Sequence, residues 1–162
     1  MSYLKDGTLG EGDECLFCHK IQANDDLTHH VLFRGKRCFV TLNLYPYNNG
    51  HLMIVPYSHV STLKDLDGAT LTELAILTRK ATQVLEAAYA PDGFNIGINI
   101  GTAAGAGVAD HLHQHVVPRW DGDTNYMATI GQTRIIPEWI DETHQQLRRV
   151  WRDIFPEDIL TE

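Results

Sequence analysis

The segment His111-Leu112-His113-Gln114-His115-Val116-Val117 constrains the fold of this chain more than any other. Successive side chains of an extended strand point to opposite faces. His111, His113 and His115 therefore share one side, and Leu112, Gln114 and Val116 share the other. Three imidazoles along one face make a poor core. They make a good surface for holding a metal or moving protons near neutral pH. The bland alternative is a solvated histidine-rich patch, which the period-two repeat directly after a glycine loop disfavours.

The rest of the chain reads as a framework for that strand. Residues 1–14 are rich in glycine and acid and read as a loose lead-in, and residues 15–162 read as a single domain ending in a helical tail. Residues 30–34 and 37–42 flank Gly35-Lys36 and predict a β-hairpin. Residues 43–50 hold Pro46 and several Asn and predict a loop. His51-Leu52-Met53-Ile54-Val55 predicts a third strand closed by Pro56. Thr70-Leu71-Thr72-Glu73 fits a capping box. It opens a helix over residues 70–89 with Leu71, Leu74, Ala75, Thr78, Ala81, Leu85 and Ala88 as its stripe, stopped by Pro91 and Gly93. Residues 94–100 alternate as a strand, residues 101–107 form a small-residue loop, and Pro118 closes the histidine strand. A last helix begins near Pro137 with Ile140, Thr143, Leu147, Val150, Trp151 and Ile154 on one stripe. The order β-β-β-α-β-β-α with hairpin links predicts an α+β fold: about five antiparallel strands with a long helix and a C-terminal helix packed on them.

Composition narrows the function classes. The formal net charge is −8, which disfavours nonspecific binding to nucleic acid or to anionic membranes. A small anionic ligand stays compatible if one site concentrates donors. Three Cys, an odd number, argue against a disulfide framework. Met1 to Gly7 lacks the apolar core of a signal peptide, so the expected compartment is a reducing cytoplasm. Cys15 and Cys18 have chelating or redox spacing. The redox reading wants a preceding strand in a βαβ setting, which the pattern lacks. Zinc would need two further ligands, usually His, and the bland alternative is two buried thiols.

His111 to Val117 resembles the signature of the histidine-triad family. Asn49-Gly50-His51-Leu52-Met53-Ile54-Val55-Pro56 with His59, and Cys15-Leu16-Phe17-Cys18, match two further motifs of that family in the same order. The resemblance covers about residues 13–120. Asn43 to Asn48, Gly105-Ala106-Gly107 and Pro118-Arg119-Trp120 resemble a bacterial branch described as diadenosine tetraphosphate phosphorylases or nucleotide adenylyltransferases. Two departures stand out: Gln114 replaces an apolar residue, and Gly107 replaces a Ser or Thr that contacts phosphate in many members.

The resemblance implies nucleotidyl transfer through a covalent nucleotidyl-histidine. It makes His113 the nucleophile, His115 a contact to phosphoryl oxygens or a donor to the leaving group, and His51 their orienting partner. It assigns Asn43 to the ribose hydroxyls. Asn99 is expected at the substrate, the small-residue loop with Gly105 and Gly107 is expected to bring backbone N–H groups to an anion, and Arg119 is expected to reach a polyphosphate; the bland alternatives are a flexible turn and a solvated arginine. It maps zinc onto Cys15, Cys18, His59 and His111, one structural ion per chain, and it implies a homodimer. The expected substrate is a dinucleoside polyphosphate, cleaved by phosphate or water. Alternatives are an adenosine phosphoramidate hydrolase, a non-catalytic nucleotide-binding regulatory module, and a zinc-dependent interaction domain. Residues 121–126 either shape a second nucleotide's pocket or form the turn into the tail. His19, His29, His30 and His144 fit no motif and are expected at the surface. Cys38 is expected in the core.

Overall fold

Two helices cover one face of a single antiparallel sheet, and the other face carries the histidines. The computed structural model describes residues 15–23, 25–124 and 138–158. The expected lead-in over residues 1–14 and the proposed helix start at Pro137 lie outside the described residues. The strands are β1 (Val31–Arg34), β2 (Cys38–Leu42), β3 (Leu52–Pro56), β4 (Gly93–Ile98) and β5 (Gln114–Arg119), in the spatial order β1-β2-β3-β5-β4. A β-α-β run from β3 to β4 ordinarily makes parallel neighbours. Here β5 inserts between them, so every pairing is antiparallel. The α+β expectation is met.

Alternation along the strands sorts the two faces. Cys38, Val40 and Leu42 of β2 and Leu52 and Ile54 of β3 face α2 (Gly68–Tyr89) and α3 (Ile140–Ile154), where they join Leu74, Leu77, Ala81, Leu147 and Trp151 in one core. A register irregularity between Val31 and Phe33 lets Leu32 and Phe33 both reach that core. Phe33 then stacks on Trp151 at 5.2 Å between ring centroids. On the opposite face Phe39, Met53 and Val55 pack around Phe17 of α1 (Leu16–Ala23).

Several local expectations are corrected. The α1 helix follows Cys15 directly and had no place in the predicted order. It buries Lys20 to 2% exposure, where Nζ donates to the His29 carbonyl at 2.8 Å and to Thr41 Oγ1 at 3.0 Å. Helix α2 starts at Gly68, capped by Asp67, whose carboxylate accepts from Thr70 N at 2.7 Å. Glu73 does not complete a capping box. It accepts from Arg37 N at 3.0 Å and Cys38 N at 3.2 Å, tying the β1–β2 turn to α2. Gly35 fits that turn because a Cβ there would lie 2.8 Å from the Cys38 backbone carbonyl as well as against the Glu73 carboxylate.

The histidine segment also differs from its expected span. Strand β5 runs from Gln114 through Pro118 to Arg119, while His111 to His113 precede it outside the sheet ladder, with His111 in a bend and Leu112 N donating to the Val60 carbonyl at 2.6 Å. Pro118 is tolerated in a central strand because the ladder to β3 ends at Val116. The Asn48 amide takes the Pro118 carbonyl at 3.0 Å instead. Strand β4 ends at Ile98 rather than residue 100. His144, expected at the surface, is 2% exposed on the buried face of α3. Its Nε2 donates to the Val31 carbonyl at 2.9 Å, joined there by Arg148 Nη1 at 3.2 Å. Cys38 is buried as expected, and among the described residues no helix is long and apolar enough to cross a membrane.

Candidate active site and metal centre

Four histidines on the α1 side of the sheet have their ring protons assigned by their partners. A backbone carbonyl only accepts, so the ring nitrogen facing it carries hydrogen. His111 Nε2 lies 2.9 Å from the Pro56 carbonyl, which leaves the Nδ1 lone pair turned toward Cys15. His113 Nδ1 lies 2.8 Å from the His111 carbonyl and must donate to it. The His113 Nε2 lone pair is thereby unprotonated and directed away from that bond. His51 Nδ1 accepts from the Tyr47 backbone N–H at 3.1 Å, so its Nε2 carries the proton and donates to His115 Nδ1 at 3.0 Å. The proton of His115 then sits on Nε2.

Burial disfavours the charged forms of His111, His113 and His115. Desolvation lowers the pKa of His111 and His113 below the ordinary imidazole value. Burial, reinforced by His113, pushes His115 down to about 4. At neutral pH the site thus holds one aimed lone pair, on His113, beside one aimed N–H, on His115. The two rings sit 4.9 Å apart. Phe17 lies 5.0 Å from the His113 ring and Tyr47 lies 5.9 Å from the His115 ring, so two aromatics hold the pair from either end. Both aromatics stand inside the motifs quoted above, yet the sequence carried no signal for these contacts. Gly50 has φ +73 and sits where a Cβ would meet Leu85 at 2.8 Å, so glycine is needed to seat the loop that leads into His51.

The Cys-x-x-Cys pair straddles the start of α1, where residues three apart share a face. The ligand atoms of Cys15, Cys18, His59 and His111 all lie within 4.8 Å of one another. Cys15 Sγ to His111 Nδ1 is 3.3 Å, Cys18 Sγ to His59 Nδ1 is 3.2 Å, and Cys18 Sγ to His111 Nδ1 is 3.7 Å. A tetrahedral ion with Zn–S of about 2.3 Å and Zn–N of about 2.0 Å separates sulfur from nitrogen by about 3.5 Å. The donor set and its spacing therefore fit a metal. His111 joins the two sites: its ring faces the thiols and its carbonyl sets the tautomer of His113.

A cavity of about 470 Å³ opens beyond His115, floored by Gly97 and Asn99 and ending at Asn48, Asn95, Arg119, Asp123 and Thr124. Asn99 and Arg119, two of the residues expected at the substrate, both line this cavity. Asn43 does not line this cavity. Its Oδ1 accepts from Tyr45 N at 3.0 Å, and it borders a second, smaller hollow of about 300 Å³ beneath the same loop. Gly105 has φ +87, and its N–H is engaged by the Thr102 carbonyl at 3.0 Å; Gly107 is exposed in the same loop. The departure at Gln114 has a local reason. Its side chain faces α2, where Nε2 donates to Thr78 Oγ1 at 2.7 Å, so the buried amide is satisfied.

Comparison with known proteins follows the same outline. The AP-4-A phosphorylase of Mycobacterium tuberculosis is 49% identical over 121 residues, 75% of this chain and 62% of that protein. This chain therefore spans about 62% of the length of that relative. An asymmetrical bis(5'-nucleosyl)-tetraphosphatase of Schizosaccharomyces pombe is 39% identical over 93 residues, 57% of this chain and 50% of that protein. Among solved structures, a zinc-bound histidine triad family protein from Mycobacterium smegmatis superposes with a TM-score of 0.72 at 26% identity, covering 90% of this chain and 98% of that one. The HIT domain model matches residues 24–122, well over half of the sequence and the whole sheet, and the chain belongs to that family.

Proposed function

We propose that this chain is a nucleotidyl transferase acting on dinucleoside polyphosphates, with diadenosine tetraphosphate as its best substrate, through a covalent intermediate on His113 Nε2. The observation that carries the reading is the assigned lone pair on that atom, beside the outward N–H of His115. The names of the two relatives point to the same substrate class.

The steps follow from the tautomers. His113 Nε2 bonds to the α-phosphorus, and the bridging P–O bond breaks on the far side. The positive charge that develops on the ring is shared with the His111 carbonyl through Nδ1–H, a charge-assisted hydrogen bond. His115 donates from Nε2 to a phosphoryl oxygen. With its pKa held near 4 it is a hydrogen-bond donor at neutral pH rather than a proton source. A polyphosphate leaves as an anion and needs no proton, whereas an amine expelled from a phosphoramidate does. That contrast favours polyphosphates over phosphoramidates. An incoming phosphate then attacks the same phosphorus, the P–N bond breaks, and its electron pair returns to Nε2. Water in place of phosphate gives the hydrolytic outcome. Asn99 lies beside the reacting phosphate, and the loop bearing Gly105 and Gly107 lets backbone approach it. Asn43 supports the ribose from the loop before His51.

We assign zinc to Cys15, Cys18, His59 and His111. Four protein ligands leave no open position, so the ion would hold structure rather than polarise substrate. The exposed edge strand β4, with Ile96 at 49% exposure, and Ile100 just beyond it at 43%, support a homodimer. Thiol ligands kept for a metal suit the cytoplasm.

The test is brief mixing with diadenosine tetraphosphate and labelled inorganic phosphate, with protein and products resolved. The expected result is an adenylylated wild-type protein and label in the nucleoside diphosphate. A His113→Ala variant that keeps its metal should trap no adduct and turn nothing over. A near-normal rate in that variant would remove the assignment. A wild-type protein that binds substrate but forms no adduct would leave a binding module.

A further inference from the structure

The cavity beyond His115 ends in a hydrogen-bonded wall. Arg119 Nε and Nη2 each lie 2.6 Å from an Asp123 carboxylate oxygen, Nη2 also reaches Thr124 Oγ1 at 3.0 Å, and Nη1 donates to Asn95 Oδ1. Asp123 Oδ2 also accepts from the Asn48 amide at 2.7 Å and from Trp120 N at 3.2 Å, and Oδ1 from Thr124 Oγ1 at 3.1 Å. Four of the five guanidinium N–H donors are thus engaged inside the protein, and the carboxylate has partners on both oxygens. The pair carries no net charge.

Position along β5 says what such a wall can meet. Arg119 is four residues beyond His115 on the same face, a run of about 13 Å at about 3.3 Å per residue. The reacting phosphate sits at His115, so the far end of a short polyphosphate reaches this wall. A terminal phosphate there would face the Asp123 carboxylate as closely as the guanidinium and gain little. A neutral group with hydroxyls or ring nitrogens finds what the wall still offers among the described residues: one Arg119 N–H, the amide N–H groups of Asn95 and the carbonyl oxygen of Asn48.

We propose that the Arg119–Asp123 pair, with Asn48 and Asn95, is the subsite for the second nucleoside of the substrate and makes the protein prefer a dinucleoside polyphosphate to a mononucleoside polyphosphate of equal charge chain. The inference rests on the proposed substrate class. It answers the alternatives left open for residues 121–124 in favour of a pocket. It also gives Arg119 a different part from a direct polyphosphate contact: Asp123 neutralises it, so it reads the end of the bridge rather than its charge. Specificity then arises because the occupied wall leaves a phosphate terminus without a countercharge.

The experiment uses binding in the catalytically dead His113→Ala protein, with diadenosine tetraphosphate and adenosine 5'-tetraphosphate as paired probes. These differ only in the second adenosine. The wall should give the dinucleotide at least a tenfold advantage. Asp123→Asn, nearly isosteric, unbalances the pair and releases the Arg119 charge. It should erase or invert that advantage, weakening the dinucleotide and strengthening the tetraphosphate. Asn95→Ala leaves the ion pair standing and should weaken only the dinucleotide, by severalfold, with an unchanged melting temperature. Equal affinity for both probes in the unsubstituted wall, or equal loss of both in Asp123→Asn, overturns the proposal. Wild-type turnover of diadenosine tetraphosphate is measured in parallel. Preference without turnover removes the parent enzymatic reading and keeps the wall; turnover without preference removes the wall alone.

Discussion

His51 touches no substrate in the proposed mechanism, so its replacement isolates what tautomer control is worth. In His51→Leu the Tyr47 N–H loses its acceptor at 3.1 Å and His115 Nδ1 loses its donor at 3.0 Å. His115 is 9% exposed, so its orphaned Nδ1 carries the buried-group cost of about 1–3 kcal/mol, whereas Tyr47 is 43% exposed and adds less. Stability should fall by about 1–3 kcal/mol. The rate effect is smaller and separable. A net hydrogen bond of about 0.5–1.5 kcal/mol biases His115 toward the tautomer with hydrogen on Nε2. Removing that bias costs roughly two- to tenfold in kcat. Removing the donor outright, in His115→Ala, should cost about 10²–10³. Urea denaturation gives the first quantity, and initial rates corrected for folded fraction give the second. The reasoning fails if His51→Leu slows the reaction as much as His115→Ala does. It fails equally if stability and rate both stay at wild-type values.

Cys15→Ser should lower the melting temperature by roughly 5–10 °C while the rate per folded molecule changes less, because the ligand set holds the chain around His111 and stays out of the chemistry. An unchanged melt with undiminished zinc would contradict that. Ala90 caps α2 in a left-handed conformation with φ +45, which costs an L side chain about 1 kcal/mol. Ala90→Gly should therefore stabilise the protein by about 0.5–1 kcal/mol in urea titrations, and a loss of stability would be the wrong sign. Burial holds His144 near pKa 4, with Arg148 and His30 lowering it further and Asp26 opposing them. The unfolded chain, at the ordinary 6.5, then binds more protons, so stability is full above that value and falls as pH drops toward about 4. His111, His113 and His115 act in the same sense. Urea midpoints at pH 8, 6 and 5 should fall in order, and His144→Gln should flatten part of that slope.

The sequence showed the site more completely than it showed the scaffold. Period-two histidines and the Cys-x-x-Cys spacing are local patterns, and the four metal-binding candidates do converge. What stayed hidden depends on partners distant in sequence. Glu73 reads as half of a capping box because it follows Thr70 by three residues. Its carboxylate instead binds the hairpin turn, which only the packed sheet brings near. His144 reads as polar surface on an amphipathic helix, yet it is held inside by the Val31 carbonyl of β1, which it shares with Arg148. The α1 helix spans eight residues, too short for helical periodicity to announce it. Gln114 reads as a departure until Thr78 is known to lie beneath it. The proton assignments rest on backbone groups of Pro56, His111 and Tyr47, and no residue-type pattern encodes those.

The insertion of β5 between β3 and β4 bears on how the chain is made. During synthesis every element through β4 emerges before the strand that joins them. Until residue 119 is out, the growing chain has two open strand borders in its middle, where Leu52, Met53 and Ile54 await pairing. Such borders invite contact with other nascent chains. The last strand to arrive closes both gaps and brings His115 with it. Under the proposed mechanism, the strand that completes the sheet is thus the one that delivers His115 to the site.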